Sequence, residues 1–167
     1  MTKQEFLERA TVKNLQQFRG HDGQGYSAKI YFDKKPMCEV FDDAWGGELR
    51  VHNIKDGVRV EDIYKQIDVD SLWNEEWEWT TPLHLLLEDV VNKHALHKEI
   101  FKNRTKGVIF DSEDNYSIRG SKYTIKTTFK KYSNAKDFYQ GIIDEIEADG
   151  LEILNADYLR TFGLKVK

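Results

Sequence analysis

Residues 25–53, GYSAKIYFDKKPMCEVFDDAWGGELRVHN, decide the fold. In Tyr26–Asp33 one face carries Tyr26, Ala28, Ile30 and Phe32, and the other carries Ser27, Lys29, Tyr31 and Asp33. That period of two is the pattern of a half-buried strand. Lys34-Lys35-Pro36 interrupts it, because proline removes a ladder donor and fixes φ. Met37–Phe41 resumes the extended pattern, Asp42–Gly47 turns the chain, and Glu48–His52 alternates again with Leu49 and Val51 on one side. The stretch predicts an antiparallel meander on which the rest of the chain packs.

Upstream, Thr2-Lys3-Gln4-Glu5 has capping-box spacing and predicts a helix through about Ala10. Thr11–Arg19 supports two readings: Val12, Leu15 and Phe18 recur every three residues as in a helix, yet the segment also leads into the first strand. Gly20–Gly25 holds three glycines in six residues and is a break. Its G-x-x-G-x-G precedes a strand, so no helix N-terminus is present to receive a phosphate, and it is not a dinucleotide loop. It reads as hairpin turns or as a binding rim formed with Trp45-Gly46-Gly47.

Downstream, Val60–Ile67 reads as a short helix. Thr81 as N-cap and Pro82 at N1 start a long helix to about Asn103. Its apolar face is traced by Leu83, Leu86, Leu87, Val90, Val91, His94, His97 and Phe101. Gly107–Asp111 and Asn115–Arg119 are expected strands. Lys122–Lys130 alternates, with Lys122, Thr124, Lys126, Thr128 and Lys130 against Tyr123, Ile125, Thr127 and Phe129, which predicts a strand with a basic outer face. Ser133 or Asn134 starts a helix to about Ala148 with Phe138, Ile142 and Ile146 inward, and Asn155 starts a last one, Ala156–Phe162. The expected fold is α+β: one domain over 1–167, an antiparallel sheet of about five to seven strands packed against one long helix, Thr81–Asn103, and smaller C-terminal helices.

A hydrophobic content of 40% with 13% aromatics is that of a globular chain. The lone Cys38 excludes an intramolecular disulfide and suits a reducing compartment. MTKQEFLERA has no apolar core of a signal peptide, and Leu85-Leu86-Leu87 is far too short to span a bilayer. A cytoplasmic protein with no membrane partner is therefore expected. The net charge of −4 conceals blocks. Glu61–Glu78 holds seven acidic residues and one basic, Arg119–Lys136 six basic and none acidic, and Asp137–Asp157 seven acidic and no basic. Such blocks are either solvated faces that balance one another or surfaces that steer partners.

Little in the sequence specifies chemistry. His94 and His97 stand at i,i+3 on the long helix without a third ligand of matching spacing, so they read as core or boundary residues and not as a zinc site. His21, His52 and His84 are scattered. Asp42-Asp43 point to opposite faces of an extended chain and make a poor ligand pair. No hydrolase elbow, phosphate loop or H-E-x-x-H occurs. No cofactor, metal or catalytic residue is expected. Two binding surfaces are. The first is the acidic–aromatic stretch Trp73, Glu75, Glu76, Trp77, Glu78 and Trp79, which is either a cap on the core or a protein-docking surface. The second is the row Lys122, Lys126 and Lys130, which would follow a phosphate backbone but has no aromatics on the same face for base stacking.

GYSAKIYFDKKPMCEVFDDAWGG resembles a pattern in small accessory proteins of phages, plasmids and other mobile elements: a small or aromatic residue, A-x-aliphatic-Y, a D-G-K-like turn, an extended stretch ending in valine, then two acidic residues and a glycine pair. Here the turn is Asp33-Lys34-Lys35 and lacks the glycine. Glu152-Ile153-Leu154-Asn155, Leu159 and Gly163-Leu164 resemble the end of such proteins. The matching parts cover less than half of the chain and bring no catalytic residues. The resemblance implies a setting: a non-enzymatic protein that binds and inhibits a host defence enzyme, a CRISPR or restriction nuclease complex, from within the host cell. The alternative, from another class, is a nucleic-acid-binding or nucleic-acid-processing protein acting through the lysine row.

Overall fold

A computed structural model of the chain describes residues 1–68, 82–112 and 116–167. The fold is α+β, and the chain divides into two compact units, Met1–Ala95 and Leu96–Lys167.

The first unit is built on a four-stranded antiparallel sheet in the order β1-β2-β3-β4, formed by Ala10–Arg19, Gln24–Phe32, Lys35–Asp42 and Arg50–Asn53. The meander read from residues 25–53 is present, and Thr11–Arg19 resolves to a strand. The register pairs Val12 with Ile30, Ala28 with Val40 and Ile30 with Cys38, so the alternating apolar residues share one face. Onto that face pack α1 (Lys3–Arg9), α2 (Val60–Tyr64) and the first half of α3 (Pro82–Asn103), through Phe6, Ile63, Leu86, Leu87, Val90 and Val91. The capping box is formed: the Thr2 hydroxyl accepts from Glu5 N at 3.2 Å, and Glu5 accepts from Thr2 N at 2.8 Å.

The β2–β3 hairpin turns on Asp33 and Lys34, both at positive φ (47° and 67°). A two-residue loop with both φ positive matches the twist of the strands and ordinarily takes Asn-Gly or Asp-Gly. Here the glycine is replaced by a clamp. Arg9 donates to both carboxylate oxygens of Asp33, at 3.0 and 2.5 Å, and the Arg9 carbonyl accepts from Asp33 N. The hydrogen bonds from Arg9 hold the Asp33 carboxyl below the usual carboxylate range.

The second unit has a two-stranded sheet, β5 (Val108–Phe110) with β6 (Ser117–Arg119), and three helices, α4 (Ile125–Lys131), α5 (Ala135–Ala148) and α6 (Ala156–Arg160). Its core joins Val108, Phe110, Ile125, Tyr139, Ile143, Ile146, Leu159 and Leu164. Asn155 is buried at its centre: Oδ1 accepts from Ile109 N at 3.0 Å, and Nδ2 donates to the carbonyls of Gly107 (2.8 Å) and Arg104 (3.1 Å). One side chain thus fixes the α3–β5 turn, β5 and the start of α6.

Several expectations are corrected. The strands do not form one sheet of five to seven; those described form a sheet of four and a separate pair. Lys122–Lys130 is not a strand. Thr124 caps α4 by accepting from Thr127 N at 3.4 Å, and Ile125, Thr128 and Phe129 turn inward at the i, i+3, i+4 spacing of a helix. On α5 the inward residues are Ala135, Tyr139, Ile143 and Ile146, while Phe138 stays 43% exposed. On α3 the stripe ends at Ile100, and His97 and Phe101 are exposed.

Candidate functional site

The acidic–aromatic stretch with Trp73, Glu75, Glu76, Trp77, Glu78 and Trp79 lies outside the described residues, as does Thr81. The lysine row is described, and its conversion from strand to helix changes its chemistry. Lys126 and Lys130 stand one turn apart on α4, both exposed, with Lys122 just before the helix and Lys131 at its end. Two of them, Lys122 and Lys131, lie beside an aromatic ring just before the helix. Lys131 Nζ lies 4.0 Å and Lys122 Nζ 5.3 Å from the Tyr123 ring centroid, and Tyr132 lies 6.4 Å from Tyr123. Of the expected row, Lys122 thus has a half-buried ring beside it, which the alternating reading did not provide. Among the described residues none of these four lysines has a carboxylate partner, in contrast to Arg119, which meets Glu145 at 3.7 Å.

The cationic surface continues into a segment that sequence reasoning left out. The Thr105 carbonyl accepts from Ile125 N at 2.9 Å, which seats the end of α3 against the first turn of α4. That segment brings Lys98, Lys102, Arg104 and Lys106, with Glu99 as its one acidic residue. Glu99 accepts from the Tyr116 hydroxyl at 2.8 Å. The unit holds thirteen basic and eleven acidic residues, so the acidity of the chain lies in residues 1–95, with twelve basic and eighteen acidic.

Beside this segment lies a cleft of about 660 Å³. Phe101, 65% exposed, stands in its wall. The Arg104 guanidinium stacks at 3.4 Å from the Phe101 ring centroid and lies 5.8 Å from that of Tyr158, while Arg104 Nη1 donates to the Phe101 carbonyl. His97 reaches the same cleft, and Glu152 and Asp157 line it too. Asp157 accepts from Arg160 at 2.9 Å.

The first unit has a separate aromatic cluster at the loop end of its sheet. Asp22 N donates to the Ala44 carbonyl at 2.8 Å, so the Gly20–Gly25 loop and the Asp42–Gly47 turn do form a rim. On it the His21 ring stacks on Trp45 at 5.2 Å, and Trp45 is 67% exposed. The adjoining open face of the sheet stacks Phe18 on Phe41 at 5.8 Å, with Arg50 at 5.7 Å from Phe41. Gly25 lies under Phe18: a Cβ there would come within 2.5 Å of the ring and 2.6 Å of the Asp42 carbonyl.

The remaining candidates are accounted for by structure. Asp42 and Asp43 accept from the backbone of Ala44 (2.8 Å) and Trp45 (3.1 Å), and Asp43 also holds Arg50. They shape the turn. His21 pairs with Asp22 at 2.8 Å on the surface, His52 is exposed across from Glu39, and His84 and His94 are half-buried. Among the described residues no group of three or more His, Cys, Asp or Glu side chains is placed to hold a metal ion. Cys38 is buried, and burial pushes its thiol up to about 12, so it is not a nucleophile at neutral pH. No described helix is long and apolar enough to cross a membrane.

No protein-family model, no curated protein and no solved structure matches the chain.

Proposed function

We propose that the protein binds nucleic acid through the basic surface of its second unit, with Lys122, Lys126, Lys130 and Lys131 as phosphate contacts. The observation that supports it is the arrangement on and just before α4: four lysines without carboxylate partners among the described residues, two of them, Lys122 and Lys131, beside the Tyr123 ring, which Tyr132 adjoins. Cations left unneutralised on one surface are suited to replacing the counterions of a phosphate backbone, and interleaved rings offer stacking. The contact is made by α4. α4, the turn at residues 132–134 and α5 have the connectivity of a helix-turn-helix, but the second helix exposes Asp137, Asp144 and Glu145 and would be repelled from a groove. The test is fluorescence anisotropy of labelled oligonucleotides at two salt concentrations. Affinity that falls steeply with salt, and falls further in Lys126→Glu with Lys130→Glu, supports the reading; salt-independent or absent binding ends it.

A second reading keeps the protein as a non-enzymatic inhibitor that docks on a host defence nuclease complex. The described feature that favours it is the Trp45–His21 stack beside Phe18, Phe41 and Arg50, since exposed Trp and Arg are typical interface anchors. Its test is capture from host lysate with the parent chain and with Trp45→Ala. A nuclease subunit retained by the first and lost by the second supports it.

A further inference from the structure

Phe101 is a phenylalanine that the fold leaves in solvent, and it is not alone there. Its ring carries the Arg104 guanidinium on one face and lines the same cleft as Tyr158, whose ring centroid is 5.8 Å from that guanidinium. A planar cation stacked on a ring makes a platform that extends the flat surface and adds positive charge next to it. The hydrogen bond from Ile125 N to the Thr105 carbonyl ties this platform to the lysines of α4, and Lys102 and Lys106 flank it in the chain. Glu152 and Asp157 also line the cleft; Asp157 is engaged by Arg160, and the Glu152 carboxylate can accept a hydrogen bond from an exocyclic amino group. A flat ring with amino substituents suits this set: an aromatic face at Phe101 to stack on and an acceptor at Glu152 to meet the amino group.

We infer that the cleft between Phe101, Arg104 and Tyr158 takes an unpaired nucleobase, which makes the partner a single-stranded nucleic acid and not a duplex. The inference rests on the nucleic-acid reading and specifies its ligand. The backbone of the strand runs over the α4 lysines, and one base turns out of the stack onto the Phe101 ring. Duplex bases are stacked and cannot reach the ring, so a duplex would meet the lysines alone.

The experiment measures affinity for one mixed-sequence oligonucleotide as a single strand, in DNA and RNA forms, and as a duplex, by anisotropy, for the parent, Phe101→Ala and Phe101→Trp. Phe101 is exposed, so its truncation leaves the core intact, and a matching circular dichroism spectrum establishes that. The expected result is a loss of about fivefold or more in single-strand affinity for Phe101→Ala. Duplex affinity and salt dependence should be unchanged, and Phe101→Trp should bind as the parent does. If Phe101→Ala binds the single strand as the parent does, or weakens strand and duplex equally, the cleft is not a base site and the inference falls while the lysine contacts stand. If the parent binds no oligonucleotide, the nucleic-acid reading falls with it. Preference for the RNA or the DNA form identifies which strand chemistry the site takes.

Discussion

Replacing Lys126 and Lys130 by alanine should halve the salt dependence of nucleic-acid binding. Both side chains are exposed and free of carboxylate partners among the described residues, so removing them breaks no internal contact. Alanine is the best helix former, which keeps α4 wound. The loss of one cation from its last turn costs about 0.3–1 kcal/mol of favourable interaction with the helix dipole, and Lys131 remains to supply it. Each phosphate neutralised on a single strand contributes about −0.7 to the slope of log affinity against log salt. Four lysines give a slope of about −2.8, so raising salt from about 50 to 200 mM weakens binding about 50-fold. Two lysines give about −1.4, and the same change weakens binding only about sevenfold. Anisotropy titrations of a labelled single strand at four or five salt concentrations measure both slopes. A double variant with the parent slope and an unchanged circular dichroism spectrum would falsify the assignment of phosphate contacts to α4, whatever its absolute affinity.

Three further outcomes test the fold. Lys34→Gly should stabilise the first unit by about 1 kcal/mol in urea unfolding, because Lys34 sits at φ 67°, where a side chain is strained and glycine is not. A loss of stability would mean that Lys34 contributes a contact that outweighs the strain. Asn155→Ala should cost on the order of 3 kcal/mol, since it leaves Ile109 N and the carbonyls of Gly107 and Arg104 without their partner in a buried place. A loss below about 0.5 kcal/mol would show that water replaces the amide there. Glu88→Gln should raise the melting temperature at pH 7. Burial, then Asp42 and Asp89, raises the Glu88 carboxyl above its ordinary value. A carboxyl raised on folding contributes fully below its unfolded pKa, and that contribution is lost as pH rises through the folded one. The advantage of glutamine should therefore fade below the ordinary glutamate range, and a pH-independent difference would show that charge is not the cause.

The meander was legible because the period of two runs without a break through Tyr26–Phe32 and the turn residues stand between its strands. β1 was not, for a local reason. A bulge between Lys13 and Gln16, with Asn14 at φ 55°, resets the alternation, so Val12 faces the core while Phe18 comes out on the open face. Residues 123–129 show how two periods coincide: Ile125 and Phe129 are two strand steps apart and also one helical turn apart. The capping hydroxyl of Thr124 and the inward Thr128 decide between them, and Thr128 is held by the Ser121 hydroxyl at 2.6 Å. On α5 the phase was off by one position, which exchanged Tyr139 for Phe138. The lysines of the candidate site could be read directly, because charge blocks survive any folding. Its aromatics could not, because Tyr123 reaches Lys131 only across helical turns, and Phe101 continues the 3–4 spacing of a buried stripe that in fact ends at Ile100.

Gly25 has a bearing on how the first unit can change over time. Its missing side chain is the space that the Phe18 ring fills, with the Asp42 carbonyl on the same side. Any substituent there must push Phe18 off the sheet, and Phe18 would take with it the ring contact to Phe41 on which Arg50 rests. The aromatic surface on the open face is therefore inherited as a block, gated by a residue that has no side chain of its own. A drift from glycine to alanine, the smallest step available, would dismantle it, whereas Phe18 itself can exchange for another flat ring without disturbing the backbone beneath.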